Sequence, residues 1–272
     1  MSEDLEELNR TGRSHLRNKK WDEAIEVFTE IIGLEKDPAR KASAYHDRGA
    51  AYYSKEDYDR AIADYDKAIE CEPNRTSAYW ERGLAYQKKG DYDQAIEDDN
   101  EVIERKPDDA AAYINRGNAY SFKGDHDRAI EDYNEVIKRE PDGAAAYINR
   151  GNAYCFKGDH DRAIKDYNKA IKRKLDDAMA YNNRGHAYSL KGEYDRAIED
   201  YNEAIRLKPG DAAVHYNRGV AHGLNENYPS ALKDFITADK YDKDQKSNYV
   251  LVYITFRLRD ITSNPDNHPI PI

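Results

Sequence analysis

Cysteine, methionine and tryptophan are each present only twice in this chain of 272 residues, and phenylalanine five times. Cys71 and Cys155 stand alone without a CxxC spacing, which argues against a disulfide framework or a cysteine-bound zinc and suits reducing surroundings. No run approaches the ~18 consecutive apolar residues of a membrane span. The opening stretch MSEDLEELNR is acidic and has no apolar signal core, so the expectation is a cytoplasmic chain with no membrane span. Positive charge is also short: 43 Lys and Arg against 53 Asp and Glu give a net charge of −10. No basic face is offered to phosphates, and nucleic acid is not expected as a partner. What is abundant is charge, at 35% of residues, and tyrosine, with 23 copies. A chain so rich in aromatic rings does not have the composition of disorder.

The tyrosines are spaced regularly. AAAYINRGNAYSFKGDHDRAIEDYN begins at Ala110, and AAAYINRGNAYCFKGDHDRAIKDYN begins 34 residues later at Ala144. Gly49, Gly83, Gly117, Gly151, Gly185 and Gly219 keep the same period, as do Tyr45, Tyr79, Tyr113, Tyr147 and Tyr181, and the alanines from Ala61 to Ala231. Such a period marks an array of repeated supersecondary units.

Within one unit, apolar residues at helical spacing predict two helices, about 110–123 and 126–139. Gly124 ends the first, Asp125 caps the second, and Pro141 stops it. Small Gly117 and Ala129 let the two helices approach, and tyrosine rings fill the remaining space. A lone hairpin buries too little apolar surface, so stability must come from stacking on its neighbours.

On these residues the chain resembles the tetratricopeptide repeat family over about residues 5–245. The resemblance implies an all-α, right-handed superhelical solenoid. Its units are expected at 5–41, 42–75, 76–109, 110–143, 144–177, 178–211 and 212–245, within a repeat domain spanning 1–245. The first unit is divergent, and Asp99 stands where Tyr65 and Tyr133 stand in other units. The apolar stretch from Asn248 is expected to form a capping helix over 246–261, a surface for a homodimer or a partner through 248–261, with a flexible Pro-rich tail at 262–272.

Chemical constellations are scarce. His126 lies between Asp125 and Asp127, as His160 lies between Asp159 and Asp161. Both histidines occupy a place held by Trp21, Tyr58, Tyr92, Tyr194 and Tyr228 elsewhere, which calls for an amphipathic ring, and neighbouring helical residues do not converge on one ion. Cys155 is Ser121 in the twin unit and has no convincing base beside it. No enzyme, cofactor or metal is expected. Arg48 to Arg218 precede the repeat glycines, with Asp64 to Asp234 placed 16 residues after each arginine. The divergent first unit lacks both, which points to an ion pair within a unit or across to its neighbour.

The resemblance further implies a concave groove lined by the first helices. Its inner face would carry Trp80, then Ile114, Asn115 and Asn118, then Ile148, Asn149 and Asn152. Beyond these come Asn182, Asn183 and His186, then Tyr216 and Asn217. Amides both donate and accept, which suits the backbone of an extended peptide, and family members that hold peptides this way use a similar asparagine ladder. The carboxylate clamp of heat-shock co-chaperones needs a lysine where His46, Trp80, Ile114, Ile148, Asn182 and Tyr216 stand. The expected function is a non-catalytic adaptor that binds a protein or an extended peptide segment. The alternative is a self-assembling scaffold using the C-terminal element and the charged outer face.

Overall fold

The computed structural model describes residues 3–242. Among them are fourteen helices in seven hairpins. The first four hairpins are α1 (Glu3–Arg17) with α2 (Trp21–Leu34), α3 (Pro38–Ser54) with α4 (Tyr58–Cys71), α5 (Thr76–Lys89) with α6 (Tyr92–Arg105), and α7 (Ala110–Phe122) with α8 (His126–Arg139). The others are α9 (Ala144–Phe156) with α10 (His160–Arg173), α11 (Ala178–Leu190) with α12 (Tyr194–Leu207), and α13 (Ala212–Leu224) with α14 (Tyr228–Tyr241). The cap expected over 246–261 and the tail at 262–272 lie outside the described residues. The α3 helix starts ahead of the expected boundary at 42, because Pro38 takes its first turn and the Asp37 carboxylate accepts from the Arg40 amide.

The chain divides after Pro141 into two compact units, and each is a run of stacked hairpins. In both, a first helix packs on its own second helix and also touches the first helix of the next hairpin: α1 on α3, α3 on α5 and α5 on α7, then α9 on α11 and α11 on α13.

The backbone of every hairpin turn closes in the same way, and the turn between α7 and α8 shows it. Gly124 takes φ 83°, and the Asp125 amide reaches back to the Tyr120 carbonyl at 2.9 Å. That closes the helix with the left-handed residue glycine favours. The Asp125 carboxylate then accepts from the Arg128 amide and opens α8. Between the helices, a Cβ on Gly151 would lie 2.7 Å from Tyr167 Cε1, so the buried ring requires the glycine. Tyr65, Tyr133, Tyr167, Tyr201, Phe28 and Phe235 fill this place in six hairpins.

The arginine and aspartate ladders meet within each of the six hairpins from α3–α4 to α13–α14, two bonds per pair. Arg184 Nε and Nη2 donate to Asp200 at 2.7 and 2.5 Å, and Arg48, Arg82, Arg116, Arg150 and Arg218 repeat the fork on Asp64, Asp98, Asp132, Asp166 and Asp234. The remaining Nη1 reaches the preceding hairpin, from Arg82 to Asp66, Arg116 to Asn100, Arg184 to Asn168 and Arg218 to Asn202. The Arg–Asp pair left open by the spacing therefore lies within the unit, and the same guanidinium also reaches across to a different residue of the preceding hairpin. Burial pushes the Asp98, Asp132 and Asp200 carboxyls up even beside their arginines. The forks thus fix helix register more than they add net stability, while losing one partner would leave a buried charge.

Candidate functional site

The first helices supply the candidate surface. In the unit after Pro141, α9, α11 and α13 enclose a cavity of about 380 Å³. Asn152, Asn182, Asn183 and Asn217 line it, with His186 beside them. Phe156 and Leu190 stand at its edge, 73% and 51% exposed.

The amides are tied to one another. Asn217 Nδ2 donates to Asn182 Oδ1 at 3.0 Å, Asn182 Nδ2 to Asn183 Oδ1 at 3.2 Å, and Asn183 Nδ2 to Asn152 Oδ1 at 3.0 Å. The Tyr167 hydroxyl donates to the same Asn152 oxygen at 2.8 Å. Both lone pairs of that oxygen are therefore used from within, and what the chain presents to a ligand is the remaining N–H and C=O capacity of amides held in fixed orientation. Desolvation, and then the neighbouring His160, hold His186 below the ordinary imidazole value.

In the unit before Pro141 the expected residues divide. Asn118 Oδ1 accepts from the Tyr133 hydroxyl at 2.8 Å, and the Asn115 carbonyl accepts from Gln87 Nε2 at 3.0 Å. Ile114 is half-buried, and Trp80 lines a second cavity of about 200 Å³ between α3, α4 and α5. Ile148 corrects its placement on the open inner face: at 5% exposure it is a core side chain. Asn149 is half-buried, and Tyr216 packs its ring on Phe235, 5.7 Å between centroids.

The residues passed over by the sequence reading are Phe122, Phe156, Leu190 and Leu224, which end α7, α9, α11 and α13 and are all exposed. They recur at the same 34-residue period as the glycines, and that signal was available. Asp125 and Asp159 cap their helices and hold Arg128 and Arg162, and among the described residues no group of three His, Cys, Asp or Glu side chains is placed to hold a metal. Cys155 Sγ lies 3.8 Å from His160 Nδ1, yet burial pushes its thiol up, away from the reactive thiolate. Among the described residues no helix is long and apolar enough to cross a membrane.

Comparison with known proteins places this arrangement. Models of the tetratricopeptide repeat match residues 74–142, 114–174 and 178–211, and a model described as TPR repeat matches 49–90. The chain belongs to the tetratricopeptide repeat family. A TPR protein of Parabacteroides merdae has the same fold, with a TM-score of 0.76 at 17% identity over 93% of this chain and 98% of that one. The crystal structure of MamA is 30% identical, with a TM-score of 0.56, over 61% of this chain and 96% of that one. Among curated proteins, the heat shock protein sti1 homolog of Schizosaccharomyces pombe is 36% identical over 69 residues. The chain spans only 11% of that relative's length, and 8% of another's. TPR proteins are protein-interaction modules, adaptors or scaffolds, and are generally non-catalytic. This chain carries that repeat fold through the described residues.

Proposed function

We propose that this TPR chain is a non-catalytic adaptor that holds an extended peptide segment of a partner protein along the face of its first helices. The cavity between α9, α11 and α13 carries the reading, because it sets oriented amides beside exposed Phe156 and Leu190. Amides meet a peptide backbone whatever its sequence, and the apolar edge receives alternate side chains, which together are the demands of extended-peptide recognition. Asn115, Asn118, Asn149, Asn152, Asn182, Asn183 and Asn217 provide the amides in this reading, with Trp80, Ile114, His186 and Tyr216 flanking them.

The test uses peptides selected from a random displayed library on the immobilised chain. Asn183→Ala combined with Leu190→Asp should leave the thermal melt nearly unchanged and weaken the selected peptides about tenfold, equivalent to ~1.4 kcal/mol. Unaltered affinity in a folded double variant would overturn the reading. It would favour self-assembly, for which the apolar residues at 248–261 lie outside those described.

A further inference from the structure

The rung that links successive first helices is filled differently along the chain. Two residues before each repeat glycine stands one partner of the rung, and one residue after the preceding repeat glycine stands the other. At the first step these are Asp47 and Arg13, and Arg13 Nε donates to Asp47 Oδ2 at 2.9 Å. In the unit after Pro141 the same rung is the bond from Asn183 to Asn152. At the second step the carboxylate is Glu81, and the place held by Arg13 falls to Ala50. Among the described residues no Lys or Arg pairs with Glu81. Its Oε2 is shielded from solvent and makes no hydrogen bond. The basic side chain beside it is His46, whose Nε2 lies 3.5 Å from Oε2 without hydrogen-bond geometry.

The space that a cation would fill is still there. It is the cavity of about 200 Å³ lined by Ala50, Tyr53, Tyr65, Trp80, Glu81 and Leu84. Three aromatic rings and one carboxylate surround it, with Leu84 beside them to pack an aliphatic stem. Ring faces attract cations through their quadrupole, and they attract them more strongly where water is partly excluded. Burial, then the charge of Glu81 and a hydrogen-bonding interaction with it, push the Tyr65 hydroxyl up, and burial, then Tyr58 and Glu81, push the Tyr53 hydroxyl up. The chain's net charge of −10 draws cationic segments toward it.

We propose that the Glu81 cavity is a subsite for a lysine or arginine side chain of the bound peptide, which takes the place that Arg13 takes on Asp47. The proposal rests on the reading that partners lie along the first helices, and it adds the chemical class of one side chain they present. It concerns residues of α3 and α5, whereas Asn183 and Leu190 belong to α11, so the two readings fail separately.

Trp80 and Trp21 are the only tryptophans in the chain, so the Trp80 indole resonance of the full, 15N-labelled chain reports on this cavity directly. The probes are four capped tripeptides, with lysine, arginine, norleucine or glutamate between two alanines. The lysine and arginine peptides should shift the Trp80 indole saturably, and norleucine and glutamate at the same concentrations should not. Glu81→Gln should weaken the lysine peptide at least tenfold. Ala50→Arg, which supplies the guanidinium from within, should abolish the response and leave the chain folded. Equal shifts with norleucine, an unchanged response in Glu81→Gln, or no Trp80 response to either cationic peptide would overturn the proposal. The library peptides' sensitivity to Asn183→Ala with Leu190→Asp would be untouched by any of those results.

Discussion

Asp99 is the residue at which the repeat departs most sharply from its own rule. Where Tyr65, Tyr133, Tyr167 and Tyr201 fill the hairpin core, a carboxyl stands at 1% exposure with neither oxygen hydrogen-bonded. Burial first, and then the neighbouring Asp98, push it up to about 8. The unfolded chain releases this proton near pH ~3.9. Between that value and about 8 the folded state binds the extra proton, so stability falls as pH rises through the window and levels off above it. Asp99→Asn removes the titration, and Asp99→Tyr restores the ring. Either should raise stability at pH 7 by roughly 2–4 kcal/mol. Urea unfolding of the parent at pH 5 and pH 8 should show a loss that Asp99→Asn lacks. Parallel losses in both proteins would show that the titrating group lies elsewhere.

At the scale of the element, the hairpin turn has a fixed shape and variable residues. The same place in the turn is left-handed in every hairpin, at Gly90, Gly124, Gly158 and Gly192 but also at Lys19, Glu56 and Glu226, with φ of 58–62° for the last three. A side chain in that conformation costs ~1 kcal/mol or more relative to glycine. Glu56→Gly should therefore raise the melting temperature, whereas Gly124→Ala should lower it by a comparable free energy, as read by calorimetry. A Glu56→Gly variant less stable than the parent would contradict this account of the turn. The hairpins themselves were legible in the sequence, because glycine, alanine, tyrosine and proline recur in phase and each has one mechanical task. The helix bounds of 110–123 and 126–139 differ from the structure by one residue, at Phe122. The conformation of Glu56 was not legible, because the demands of the turn override the preference of the residue that occupies it. Nor was the difference between Ile114 and Ile148, which stand in identical stretches of the twin repeats, one half-buried and the other core. A repeat's sequence is local, whereas exposure is set by the neighbours in the stack. The asparagines at 183 and 217 were legible as a ladder, but their bonds to Asn152 and Asn182 depend on side-chain directions that spacing does not give.

For the whole molecule, the two faces of the hairpins carry opposite roles. Within each unit, first helices touch first helices of the next hairpin, while second helices turn charged residues such as Lys165 and Glu199 to solvent. Ion pairs on the charged side contribute little, on the order of 0–1 kcal/mol each, so the stack is held mainly by buried rings and alanines. The most direct measurement is site-specific photo-crosslinking to a library-selected peptide, with the photoreactive residue placed at Leu190, Lys165 or Glu199 in turn. Adducts at Leu190, with none at Lys165 or Glu199, are the expected result. Adducts at Lys165 or Glu199, with none at Leu190, would contradict binding along the first helices.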